Sequence, residues 1–187
     1  MRALLFLSLL GTLVGAPLAA ANLPAALEAK AKEAFAEIAK AKAALDAGHT
    51  ATSQSLLSQA ETALKSILTQ APGSKVLNNV DQASSAAKQG DAQQSNSALS
   101  QAQQEAGKLD PSLPSKVDAA KGPPAQGDTS NLGAVRQETA QKTGLDKIES
   151  AYQKVSLARS LLSAGNTSKA KGLLDEIVSS PSGVLPH

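Results

Sequence analysis

Three glycines, Gly48, Gly90 and Gly165, occupy the same place in one recurring apolar pattern. Ten residues before them stand Ile38, Val80 and Val155; seven before stand Ala41, Ala83 and Ala158; three before stand Leu45, Ala87 and Leu162; nine after stand Leu57, Leu99 and Leu174. Steps of three and four residues keep side chains on one face of a helix. A glycine just past the end of that helix closes it in the left-handed conformation without the penalty a Cβ would bring. Each copy therefore predicts a helix, a tight turn and a second helix. The chain as a whole predicts an all-α fold, an antiparallel helical-hairpin bundle of about six helices in three Gly-centred hairpins, with no sheet, because no apolar/polar alternation of strand type occurs.

The N-terminal residues carry a different message. Arg2 precedes the apolar run Ala3 to Leu10, which continues through Leu13 and Val14 to Pro17 and the small-residue site Ala19-Ala20-Ala21. A charged start, a short apolar stretch and an A-x-A site predict a secretory signal peptide over residues 1–21, cleaved after Ala21. The expected location is exported, in the periplasm or outside the cell. No later segment predicts a membrane span, so stable membrane insertion after cleavage is not expected.

Composition limits what the exported chain can use. Cysteine is absent, so disulfides, thiol nucleophiles and Fe–S clusters are excluded. Lys plus Arg number 18 and Asp plus Glu 16, and removal of Arg2 brings them closer to balance. Lysines alternate with acids, as in Glu28 to Glu33, which predicts a solvated helix face rather than a nucleic-acid surface. Phe35 and Tyr152 are the only aromatics after the leader, so packing rests on alanine and leucine at helical spacing. An Ala-rich seam favours helix and lets helices approach closely.

Along residues 22–109 the pattern predicts N-terminal helical hairpins. Leu27, Ala31, Ala34, Ile38, Ala41 and Leu45 line a helix over about 25–47, and Thr50 or Thr52 caps the next one. Pro72-Gly73-Ser74 breaks that helix before a third over 75–89, and Asp91 with Gln94 forms a capping-box start for a fourth over 92–108. Residues 110–131 contain Pro111, Pro114, Gly122, Pro123, Pro124 and Gly127 and predict an exposed Pro/Gly-rich linker, with room for a short helical turn near Ser115 to Lys121. Residues 132–180 predict a C-terminal helical hairpin, in which Gly144 either divides the first arm or is carried through it, and 181–187 a loose tail.

Reactive groups are sparse. The histidines are His49, in the first Gly turn, and His187. His49 with Asp46 supplies too few ligands for a metal, and no His-x-x-x-His, Gly-x-Ser-x-Gly, Walker or dinucleotide-binding motif occurs. No catalytic, cofactor-binding or metal-binding residue is assigned, no cofactor is expected, and the chain is read as not an enzyme. Arg136 and Arg159 read as surface residues with acids nearby, and Asn166 of Asn166-Thr167-Ser168 as a helix cap. Phe35 and Tyr152 read as core residues, and any cleft is expected beside them.

Ile38 to Gly48 and Val155 to Ala170 resemble the hairpins of the YfdX family, small exported bacterial helical proteins linked to stress responses. The Gly165 turn with Ala170 five residues on is also similar to tetratricopeptide hairpins, although the spacing between copies is irregular and the aromatic positions of that family are missing. The first resemblance implies an exported, non-enzymatic helical protein, connected with stress, whose partner is a protein, a peptide or a cell-envelope component and not nucleic acid. The alternative is a partly disordered stress protectant acting through its composition.

Overall fold

The three Gly turns close in one way. In each, the residue after the glycine donates its N–H to the carbonyl five residues back: His49 to Ala44 at 2.8 Å, Asp91 to Ala86 at 2.9 Å and Asn166 to Leu161 at 2.7 Å. The glycine itself donates three residues back, to Leu45, Ala87 and Leu162. These are Schellman closures, which need left-handed backbone, and the φ values of Gly48, Gly90 and Gly165 are 83°, 78° and 75°.

The computed structural model describes residues 23–121 and 130–179. The expected leader (1–21), the tail (181–187) and part of the expected linker (122–129) lie outside the described residues. Among the described residues there are eight helices and no strand: α1 (Ala25–Asp46), α2 (Thr50–Gln70), α3 (Pro72–Lys88), α4 (Ala92–Ala106), α5 (Leu113–Ala119), α6 (Ser130–Thr143), α7 (Leu145–Ser163) and α8 (Thr167–Ser179). The all-α bundle is as expected, but the count exceeds six for two physical reasons. Gly144 takes φ 68° and ends α6 before α7 starts, and α5 forms inside the proline-rich stretch.

Helix α5 corrects the reading of residues 110–121 as exposed. The Asp110 carboxylate accepts from the Ser112 N–H at 2.7 Å and its hydroxyl at 2.6 Å, which fixes the turn before the helix. Pro114 then sits in the first helical turn, where a missing N–H costs nothing. Leu113 and Val117, four residues apart, are both fully buried.

Two other starts differ from expectation. His49, not Thr50 or Thr52, holds the position before α2, with no side-chain cap bond. Pro72-Gly73-Ser74 forms the first turn of α3, with Ala71 alone breaking the chain and the Ser74 hydroxyl donating to the Leu68 carbonyl. Asp91 does cap α4, accepting from the Gln94 N–H at 2.8 Å.

Helix pairing does not follow chain order. Helices α1, α2, α7 and α8 form one closed ring in which each packs on two neighbours, and α3, α4, α5 and α6 form another. The second unit is inserted between α2 and α7 of the first. Each ring has its own buried cluster. Ile38, Leu57, Leu64, Ile148, Val155 and Leu174 lie in the first, and Val76, Val80, Leu99, Leu113, Val117 and Val135 in the second. Leu77 of α3 and Ala140 of α6 join the first cluster and seat the insert on it.

Within the first unit the Gly48 and Gly165 hairpins use equivalent positions in equivalent ways. Phe35 and Tyr152, each thirteen residues before its glycine, are half-buried against the same core. Lys42 and Arg159, each six before, reach across to the second helix of the other hairpin: Lys42 to Asp175 at 3.1 Å and Arg159 to Glu61. Five residues after Gly48, Gly90 and Gly165 stand Ser53, Ser95 and Ala170, all buried and all small enough for the two helices of a hairpin to close.

The turn glycines and a helical glycine should respond oppositely to substitution. Gly165 has open space around it, so Gly165→Val is opposed by its positive φ alone and should cost about 1–2 kcal/mol. Gly172, inside α8 with equally open space, should gain up to about 1 kcal/mol on Gly172→Ala from helix propensity. Thermal unfolding of the two variants checks both signs.

Candidate functional site

Open grooves lie on the surface of the described residues, and three of them bear on function. One, of about 480 Å³, runs between α1 and α2. Its floor is Ala34, Ala60 and Ala63, its α1 wall carries Lys30, Glu33 and Glu37, and its α2 wall carries Ser58, Thr62 and Ser66. The groove exists because alanines face each other along the hairpin, leaving a channel where larger side chains would meet. Lys30 leans across its end toward Gln70 Oε1 at 3.4 Å, and Glu37 pairs with Lys40 at 2.8 Å. Glu37 thereby holds the Lys40 ammonium above its ordinary pKa.

Two further grooves flank an ion triad where the units meet. Arg136 of α6 donates from Nε to Asp81 of α3 at 2.9 Å and from Nη2 to Glu149 of α7 at 2.8 Å. The bond to Glu149, with the Asp81 charge beside it, raises the guanidinium pKa. On one side lies a groove of about 380 Å³ between α6 and α7, with Gln137, Gln141 and Gln153 among its walls. On the other lies one of about 420 Å³ along α3, lined by Asn78, Gln82, Gln89 and Gln94. These carboxamides donate and accept hydrogen bonds without adding charge.

A second charged cluster fastens α5 to α6. Lys142 bonds Asp110 at 2.9 Å and the Ser112 hydroxyl at 2.6 Å, and lies 3.6 Å from Glu138, which also pairs with Lys116. The Ser112 hydroxyl first, then Lys142, hold the Asp110 carboxyl well below its ordinary value of 3.8. Because the folded value is depressed, this contribution is fully present above the ordinary carboxylate value, declines below it and is lost only as pH falls through the depressed folded value. Asp110→Asn should therefore lower the melting temperature at pH 7, by a margin that shrinks steadily as pH falls below the ordinary carboxylate value toward the depressed folded one. A melting series against pH for both proteins checks it.

The expected site residues fall as follows. His49 is exposed in its turn, and Asp46 is engaged by Lys42 at 2.8 Å and Lys171 at 3.2 Å. Among the described residues no three His, Asp or Glu side chains converge as a metal site would require. Arg136 and Arg159 pair with acids from other helices, as their reading anticipated. Asn166 stands at the head of α8, its carbonyl accepting from Ala170. Phe35 and Tyr152 pack on the core, and neither lines any of these three grooves. The groove-wall residues Lys30 and Glu33 looked like an ordinary solvated face; the signal for the groove was the small residues Ala34, Ala60 and Ala63 at facing positions.

Comparison with protein-family models, curated proteins and solved structures finds no match to this chain. No helix among the described residues is long and apolar enough to cross a membrane.

Proposed function

We propose that this chain is an exported, non-enzymatic helical protein that binds a protein, a peptide or a cell-envelope component, with a role connected to stress. The observation that carries the binding reading is the alanine-floored groove between α1 and α2. A partner can approach the backbone closely over Ala34, Ala60 and Ala63 while meeting charges on one wall and hydroxyls on the other. Export is supported by Arg2, the apolar run after it and Ala19-Ala20-Ala21. The non-enzymatic reading is supported by the engagement of Asp46, Asp110 and Glu149 in ion pairs and by the exposed setting of His49. The resemblance to the YfdX family supports the exported, stress-linked setting, and the recurring Gly hairpins support a repeat origin for the bundle.

The test combines localisation with capture. The secreted form should begin at Asn22 on N-terminal sequencing. The mature chain should retain an envelope component that Ala63→Arg, which fills the groove from a half-buried position, does not retain at an unchanged melting temperature. Equal retention by Ala63→Arg would remove the groove from the function, and full-length protein held in the cytoplasm would remove export.

A further inference from the structure

Single residues carry the chain between the two units. Ala71 is extended between α2 and α3, with φ −64° and ψ 142°, and Gly144 is left-handed between α6 and α7, with φ 68° and ψ 8°. The two joints lie side by side, since a Cβ on Gly73 would stand 2.7 Å from Thr143 Cγ2. Buried hydroxyls surround them. Thr143 donates to the Thr139 carbonyl at 2.7 Å, Ser74 donates to Leu68, and the Thr139 hydroxyl has no partner. Across this level Arg136 pairs with Glu149, while Asp81, on the insert's own α3, holds the guanidinium in place.

We propose that the junction between the two units is a hinge: the inserted unit turns as a body about an axis through Ala71 and Gly144, and the Arg136–Glu149 pair is the latch that sets its resting angle. Two adjacent one-residue joints define such an axis, and rotation at them leaves the hydrogen bonds within every helix intact. Each unit is a closed ring with its own buried cluster, so a turn keeps both rings intact and shifts only the seat that Leu77 and Ala140 make on the first core. The Thr143 hydroxyl is satisfied within α6, so of these hydroxyl bonds only Ser74 to Leu68 crosses the joint, a lighter tie than large interlocked apolar side chains would be. The latch is part-buried but solvent reaches both groups, with Arg136 34% and Glu149 28% exposed, so high salt weakens it. The hinge acts on one groove in particular. The walls of the α6/α7 groove belong to different units, so it widens or narrows with the angle, whereas the α1/α2 groove belongs wholly to the first unit.

The absence of cysteine makes a direct test simple. Spin labels on Ala51→Cys and Gln93→Cys, both exposed, report the distance between the units by pulsed electron resonance. A second pair, Ala51→Cys and Ser168→Cys, reports within the first unit. Glu149→Gln should shift the between-unit distance or roughly double its spread, and so should about 1 M salt on the unsubstituted latch, where the Debye length falls to about 3 Å. The within-unit distance should not move, and Glu61→Gln, which removes an ion pair inside the first unit, should leave the between-unit distance unchanged. The proposal is overturned if the between-unit distribution is the same with and without Glu149 and at both salt concentrations, or if both label pairs broaden together. The salt comparison decides the matter even where Glu149→Gln does not fold.

Discussion

Leu113→Ala should lower stability by about 3 kcal/mol, within the range of roughly 2–5 kcal/mol for truncating a buried leucine. Leu113 is fully buried, and the second core it enters is thin. That core contains Leu99, Leu113 and Leu132 as its leucines, no aromatic, and the alanines 83, 87, 98, 102 and 106. Alanine neighbours cannot swing into the vacated space, so the cavity persists. The loss should also free α5 from α4 and α6, exposing Val117 with it. Leu157→Ala is the matched control, because Leu157 is 51% exposed and its truncation should change stability by less than about 0.5 kcal/mol. Urea unfolding of both variants makes the comparison, and equal effects would contradict the burial of α5.

The joint between the units should be equally intolerant of added volume. Gly73→Ala places a Cβ 2.7 Å from Thr143 Cγ2, 2.9 Å from its Oγ1 and 3.0 Å from its Cβ. Thr143 is buried and its hydroxyl is bonded to the Thr139 carbonyl, so it cannot simply turn away. The expected cost is about 2 kcal/mol, in the range for overpacking a tight site. Thr143→Ala removes two of the three contacts, so the double variant should be more stable than the sum of the single changes by about 1 kcal/mol or more. Rescue should stay partial, because the Thr143 Cβ remains. Strict additivity in denaturant unfolding would show that the two residues do not meet.

The all-α class and the three turns were legible because they depend on local chemistry. A glycine after an apolar helical stripe specifies a left-handed stop whatever lies around it, and Gly48, Gly90 and Gly165 behave alike for that reason. The capping role of Asp91 was legible on the same grounds. Pairing between hairpins was not. Leu57, Leu99 and Leu174 occupy equivalent positions, yet Leu57 and Leu174 share one core and Leu99 belongs to another, and nothing in an Ala/Leu stripe encodes its partner. Helix α5 is hard to read from sequence because its prolines signal a break, whereas Pro114 falls in the one turn that tolerates it. The grooves are not legible from the aromatics, because Phe35 and Tyr152 anchor the core while the channels lie over alanine and beside carboxamides.

The interrupted first ring also sets an order of assembly. Helices α1 and α2 are synthesised long before α7 and α8, and until those arrive the buried face of the first hairpin has no partner. Bringing the end of α2 to the start of α7 through about 70 flexible residues would cost on the order of 4 kcal/mol in chain entropy. The intervening residues fold into a ring of their own, and that ring places Gly73 against Thr143. Once the insert has folded, the ends it joins are already neighbours, and most of that closure cost has been met by its own packing. Destabilising the insert, as Leu113→Ala does, should therefore slow refolding of the first unit, although no residue of that unit has changed.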